Sequence, residues 1–302
     1  MFIKSRFALP LVAALLLAPF AASAQEETPE DAFKKGNEAF TNGKIDDAIT
    51  AYKLCVEKRA EFKEAWYNLG IAYGRKKQFD EEIAAYEKAI AADAKYTKAL
   101  YNLAIAYEDK GDDDKAIEYY EKVINTEQDG AVDARINLGI LYARKGRLDD
   151  AIKAYQKAIE LDKEVADAHF NLGIAYSKLA EKKDDPAQRT QFHQEAIKAY
   201  KTAVEKNSKY HKAWYNLAIA HNRLKEVDNE IAAYLKAIEV KPDYPQALFN
   251  LGLAYKDKKD SANAIVWWTK YVEIAEQRPE EKKFVATAKQ ELENLKKVDA
   301  PK

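Results

Sequence analysis

Residues 65–70 read AWYNLG, and this short segment decides the fold because it returns along the chain. Close copies are ALYNLA at 99–104, AWYNLA at 213–218 and ALFNLG at 247–252, with a shorter NLG at 137–139 and 171–173. Successive copies lie 34 or 35 residues apart, except across one insertion. A fixed period of this length indicates an array of equal structural units.

Each copy predicts two short helices. In the first helix, small and aromatic residues recur at spacings of three and four, which places them in one apolar stripe. The second helix has its own stripe, for example through Ala151, Ile152, Tyr155 and Ala158. Two such helices cannot bury both stripes alone, so neighbouring copies must stack into a continuous core.

The pattern closely resembles the tetratricopeptide repeat, a helix–turn–helix unit of 34 residues. The family's W-x2-L-G-x2-Y pattern is present as Trp66, Leu69, Gly70 and Tyr73. The resemblance implies an all-α solenoid of about seven repeats over residues 25–278. The predicted repeats are 29–62, 63–96, 97–131, 132–165, 166–210, 211–244 and 245–278, with a capping helix and tail at 279–302.

Turn and cap residues predict the helix ends. The turn inside each repeat needs a left-handed residue, which glycine supplies at little cost; three copies have Gly43, Gly111 or Gly146 there and three have Lys77, Lys225 or Lys259. Thr28 and Pro29 predict a capped first helix. After Pro279 we expect a last helix that covers the final repeat with one apolar face, formed by Phe284, Val285, Ala288, Leu292 and Leu295.

The fifth repeat contains the insertion, at residues 177–192. Tyr176 and Ala196 are 20 residues apart, where other copies have about nine. Asp185 suits a helix N-cap and Pro186 a first helical residue, so both helices of this repeat should lengthen into a protruding hairpin. Either neutral drift in a permissive loop or a partner-specific contact accounts for the extra length.

The first 24 residues predict a secretory signal peptide. Lys4 and Arg6 precede an apolar stretch from Ala8 to Phe20, and residues 22–24 read ASA before Gln25. This stretch is shorter than the ~20 residues that a membrane-spanning helix needs. We therefore expect cleavage after Ala24 and no integral membrane segment afterwards. The protein is then exported, with the periplasm as the first expectation and secretion as the alternative.

Composition and motifs argue against several functions. The 49 basic and 50 acidic residues are interspersed, which is typical of solvated helix faces and not of a nucleic-acid-binding surface. No phosphate-binding glycine loop, nucleophile elbow or zinc motif is present. His169 and His221 occupy positions that Trp66 and Tyr73 fill elsewhere, and the single cysteine, Cys55, occupies an alanine position. We expect no enzymatic activity, no cofactor and no metal site.

The first helices also have a second face, on which equivalent residues of successive repeats form four rows. The aromatic row is Tyr67, Tyr101, Ile136, Phe170, Tyr215 and Phe249. The asparagine row is Asn68, Asn102, Asn137, Asn171, Asn216 and Asn250. The aliphatic row is Ile71, Ile105, Ile140, Ile174, Ile219 and Leu253. The basic row is Arg75, Arg144, Lys178 and Arg223, interrupted by Asp109 and Asp257.

In the tetratricopeptide-repeat family this face lines a concave groove, so the resemblance implies a binding surface. An asparagine side chain offers donors and acceptors together and suits the backbone of an extended segment. The apolar rows would hold side chains, and the basic row an acidic group. Tyrosine and asparagine are also common at these positions in the family for structural reasons.

We therefore expect a protein–protein interaction scaffold whose groove binds an extended protein or peptide partner. Two alternatives stay open. One is a self-assembling structural protein of the cell envelope, because exposed aliphatic residues favour self-association. The other is a regulatory subunit of an enzyme that acts on an envelope polymer.

Overall fold

A computed structural model describes residues 27–127 and 131–298. The predicted signal peptide, residues 1–24, lies outside this part of the chain, as do residues 299–302 of the tail. The described residues form fifteen α-helices and one short 3-10 helix, without a strand. Each helix packs against the next along the chain, so the expected all-α solenoid is confirmed.

Each predicted repeat contains one helix pair. The first members, or A helices, are α1 (Pro29–Thr41), α3 (Lys63–Arg75), α5 (Thr97–Lys110), α7 (Val132–Arg144), α9 (Ala166–Glu181), α11 (His211–Arg223) and α13 (Pro245–Asp257). The second members, or B helices, are α2 (Ile45–Lys58), α4 (Phe79–Ala92), α6 (Asp113–Thr126), α8 (Leu148–Leu161), α10 (Pro186–Lys206), α12 (Val227–Val240) and α14 (Ser261–Ala275). The 3-10 helix Pro279–Glu281 and α15 (Lys282–Val298) follow.

The two helices of a repeat meet where a B-helix ring lies against a small residue of the A helix. A Cβ atom added to Gly139 would lie 2.5 Å from the Tyr155 ring, and one added to Gly252 would lie 2.4 Å from Trp268. These distances explain the small residue in the repeated NLG segment. The ring-bearing positions are at most 2% exposed: Tyr52, Tyr86, Tyr120, Tyr155, Tyr200, Tyr234 and Trp268.

The turns inside the repeats have the predicted left-handed conformation. Glycines at this place have φ of 74° to 86°, and the lysines have φ of 57° to 65°. A residue with a Cβ atom is strained there by ~1–2 kcal/mol. Lys77, Lys225 and Lys259 therefore make the same turn at a cost that Gly43, Gly111 and Gly146 avoid.

The insertion lengthens both helices of the fifth repeat, as predicted. Helix α9 has 16 residues and α10 has 21, against 13 or 14 in most other repeats. The Asp185 side chain accepts a hydrogen bond from the Ala187 amide, and Pro186 is the first helical residue.

The ends of the solenoid are capped. Thr28 and Asp31 form a reciprocal capping box at α1. At the other end, α15 buries Val285 and Ala288 against the last repeat. Phe284 is 48% exposed, and its ring contacts Phe249 of the last repeat, with centroids 5.4 Å apart.

Within residues 27–127 and 131–298, no helix combines the length and apolar character needed to cross a membrane.

Candidate functional site

The aromatic row is largely used for packing inside the solenoid. Each of its rings lies beside a B-helix tyrosine of its own repeat, with centroids 5.3 to 6.0 Å apart. Tyr67, Tyr101, Tyr215 and Phe249 remain half-buried. Phe170 and Ile136 are only 8% and 7% exposed, so the structure places these two in the core.

The asparagine row joins neighbouring repeats. The Asn137 amide nitrogen donates to the Tyr101 hydroxyl at 2.9 Å and to the Tyr120 hydroxyl at 3.2 Å, and both tyrosines belong to the preceding repeat. Equivalent bonds run from Asn102 to Tyr67 and Tyr86, and from Asn250 to Tyr215. Asn102, Asn137 and Asn250 therefore tie their repeats to the preceding ones.

This bonding corrects the expectation that every asparagine offers donors and acceptors to a ligand. In Asn102 and Asn137 the amide hydrogens are bonded internally, so only the side-chain oxygen is left for a partner. The Asn68 amide donates to Asn37, and the Asn216 amide donates to a carbonyl of its own helix. The side chain of Asn171 has no hydrogen bond to any residue that the structure describes.

The aliphatic row is the most continuous apolar feature of this face. All six members are half-buried. One side of each packs against a core cluster, and the other side faces outward. The six residues are Ile71, Ile105, Ile140, Ile174, Ile219 and Leu253. A stripe of partly exposed aliphatic side chains over six successive A helices can bury the side chains of a partner.

The basic row is only partly available. Arg144 donates to Glu108 at 2.6 Å and to Asp113 at 2.8 Å, so its charge is satisfied within the solenoid. Arg223 lies 3.9 Å from Glu181. Arg75 and Lys178 are exposed and form no ion pair with any described residue.

Two buried acids lie near this face and were not predicted. Glu82 and Glu230 replace the alanine that precedes isoleucine in other B helices, and they are 9% and 3% exposed. Burial, reinforced by Asp109, raises the pKa of Glu82 to about 7. Burial also raises the pKa of Glu230, whose carboxylate accepts two hydrogen bonds from Asn222. In the sequence, both acids can be recognised because glutamate replaces the alanine of the repeated Ala-Ile pair.

Packing and internal hydrogen bonds account for the side chains of His169, His221 and Cys55. The His169 ring bonds a carbonyl six residues earlier at 3.2 Å, as Trp66 and Trp214 do at 2.7 and 2.9 Å. His221 is buried and 2.6 Å from Glu226. Cys55 is fully buried, and burial raises the pKa of its thiol to about 11. Among the described residues there is no cluster of three potential metal ligands.

Family models for the tetratricopeptide repeat match residues 33–97, 97–129, 187–245 and 233–266, and a TPR repeat model matches 139–179. The chain belongs to the tetratricopeptide-repeat family. Repeats of this family form protein–protein interaction scaffolds and are generally not enzymes. A search of curated proteins found no significant match for this tetratricopeptide-repeat protein.

Solved structures agree with the fold of this tetratricopeptide-repeat protein. A crystal structure of MamA is similar with a TM-score of 0.53 at 30% identity, over 62% of this chain and 95% of that one. YrrB, described as "a TPR protein with an unusual peptide-binding site", has a TM-score of 0.52 at 22% identity, over 66% and 96%. The C-terminal part of a TPR repeat-containing protein from Cytophaga hutchinsonii has a TM-score of 0.67 at 16% identity, over 84% and 99%.

Proposed function

We propose that this tetratricopeptide-repeat protein is a non-enzymatic scaffold of the bacterial periplasm that holds an extended segment of a partner protein along its A helices. The observation that carries the proposal is the aliphatic row. Six half-buried aliphatic residues stand at equivalent positions of six successive A helices, where packing within the solenoid covers only one side of each.

The polar groups on the same face suit a polypeptide. The side-chain oxygens of Asn102 and Asn137 can accept hydrogen bonds from backbone amides, because their own amide hydrogens already point to tyrosines. Arg75 and Lys178 offer unpaired positive charge for an acidic group of the partner. Binding in this mode places partner side chains on the aliphatic row and partner backbone beside the asparagines.

Export is supported by residues 1–24, whose basic start, apolar stretch and ASA ending are typical of a cleaved signal peptide. The protein recovered from the periplasmic fraction should begin at Gln25, which N-terminal sequencing measures. Recovery of the intact N-terminus in the cytoplasm would contradict this part of the proposal.

Peptide selection tests the binding surface. Phage-displayed peptides are selected on the purified protein and measured again on the double variant Ile105→Thr, Ile140→Thr, which keeps the branch at Cβ, removes the terminal methyl group and adds a hydroxyl to each side chain. We expect at least a tenfold loss of affinity. The matched control is Val266→Thr on α14, which is 51% exposed, lies outside the row, and should bind as the parent does. Equal affinities for all three proteins would overturn the proposal.

A further inference from the structure

The N-cap residue of each later A helix is here named the junction residue. In four repeats the junction residue carries a ring. That ring packs against a ring of the preceding A helix, with centroids 4.7 to 5.3 Å apart. Three pairs involve the aromatic row, namely Tyr96 with Tyr67, Tyr210 with Phe170, and Tyr244 with Tyr215, and the fourth joins Phe62 to Phe33, which stands at the equivalent position of α1.

Tyr101 breaks this rule. Its junction residue is Ala131, the N-cap of α7, which has no ring. Tyr120 packs against one side of Tyr101 at 5.6 Å, and the described residues supply no second ring for the other side. The opening that remains, here named the Tyr101 cleft, has a volume of about 430 Å³ and is lined by Tyr67, Thr97, Tyr101, Val123, Ala131 and Val132 among others. Clefts of ~300–1,000 Å³ are typical of binding sites for small groups.

The next junction shows that a missing ring does not by itself leave a cleft. There Val165 replaces the junction ring, and the row residue is Ile136 in place of an aromatic residue. Both belong to one core cluster, and Ile136 is only 7% exposed, so two smaller residues close the space together. At the Tyr101 junction only Ala131 is small. The Tyr101 ring is large and remains half-exposed.

We propose that the Tyr101 cleft receives an aromatic side chain of the bound polypeptide, in the place that the chain's own rings fill at four other junctions. The inference rests on the proposed function and names the anchor residue of the partner. Ring pairs of this kind stabilise an association beyond the area that they bury.

Either phenylalanine or tyrosine fills this place at the other junctions, since the four junction rings are Phe62, Tyr96, Tyr210 and Tyr244. The Tyr210 hydroxyl donates to Asp167 at 2.7 Å, whereas the Tyr244 hydroxyl has no hydrogen bond to a described residue, although Lys212 stands there at the position of Lys98. We therefore expect the Tyr101 cleft to accept either ring.

The first experiment tests the cleft with p-cresol, which reproduces the tyrosine side chain, by methyl NMR on the full-length protein. We expect p-cresol to shift the Val132 methyl signals and to leave those of exposed Val266 unchanged. Ala131→Tyr supplies the missing ring, so it should abolish the Val132 shifts and raise the melting temperature. Ala131→Ser keeps the cleft and should behave like the parent. Ala131→Leu serves as the filling variant if Ala131→Tyr does not fold. Equal shifts at Val132 and Val266, or binding that survives both filling variants, would overturn the inference.

The second experiment separates the inference from the function on which it rests. Peptides selected on the parent protein should contain an aromatic residue, tyrosine or phenylalanine, and should lose at least tenfold in affinity on Ala131→Tyr but not on Ala131→Ser. If the peptides depend on Ile105 and Ile140 but bind Ala131→Tyr normally, the scaffold function stands and the aromatic anchor is wrong. If no peptide depends on Ile105 and Ile140, the proposed function fails, and the anchor fails with it even where p-cresol binds.

Discussion

Replacing Asn137 by alanine tests whether the asparagine row holds the repeats together. The substitution removes two hydrogen bonds, to Tyr101 at 2.9 Å and to Tyr120 at 3.2 Å. A hydrogen bond of this kind contributes ~0.5–1.5 kcal/mol. The Tyr120 side chain is fully buried, so its hydroxyl loses a partner that water does not replace, whereas Tyr101 is half-buried and can bond to water. We expect the free energy of unfolding to fall by about 2 kcal/mol.

The row contains its own control. Asn171 stands at the same position of the fifth repeat, but its side chain has no hydrogen bond to any described residue, so Asn171→Ala should change the free energy of unfolding by less than ~0.5 kcal/mol. Both variants are unfolded in urea and followed by circular dichroism. The curves are fitted with a nearest-neighbour description of coupled repeats, because a solenoid does not unfold as one block.

A double-mutant cycle with Tyr120→Phe isolates the bond itself. The coupling between Asn137→Ala and Tyr120→Phe should be ~0.5–1.5 kcal/mol. Equal destabilisation by Asn137→Ala and Asn171→Ala, together with zero coupling, would refute the conclusion that these side chains join the repeats.

Three further predictions concern single positions. Lys259→Gly should raise the free energy of unfolding by about 1 kcal/mol in urea titrations, because Lys259 has a φ of 65°; an unchanged midpoint would contradict the strain. The pKa of Glu82 is raised from 4.5 to about 7, so the folded protein binds this proton more tightly and loses the associated stability as pH rises through this window. Glu82→Gln should therefore be about 1–3 kcal/mol more stable than the parent at pH 8 and equal to it at pH 4, with the exposed neighbour Glu81→Gln as the control substitution. Cys55 should react with iodoacetamide at pH 8 only after unfolding, since its thiol is fully buried and its pKa is raised to about 11; rapid labelling of the native protein, measured by mass spectrometry, would show otherwise.

The fold was predictable because its causes are local and repeated. The period of the AWYNLG segment specifies helix pairs, and the small residue in it specifies the close approach to a B-helix ring such as Tyr155. Left-handed turns at Gly43 or Lys77, and the capping of α10 by Asp185, follow from single residues.

The candidate site was predictable only in part. Helical spacing shows that Asn137 and Tyr101 lie on one face of successive A helices, but not that they bond across the interface. It also does not show whether a row residue faces outward, so Phe170 was expected on the surface and lies in the core.

The central claim is that a partner polypeptide lies along the aliphatic row. Methyl NMR on isoleucine-labelled protein tests it directly, because half-buried isoleucines occur on both kinds of helix. Peptide selected on the parent protein should shift the signals of Ile71, Ile105, Ile140, Ile174 and Ile219 on the A helices. It should leave Ile90, Ile159 and Ile238 on the B helices unchanged. Shifts confined to the B-helix isoleucines would contradict the account.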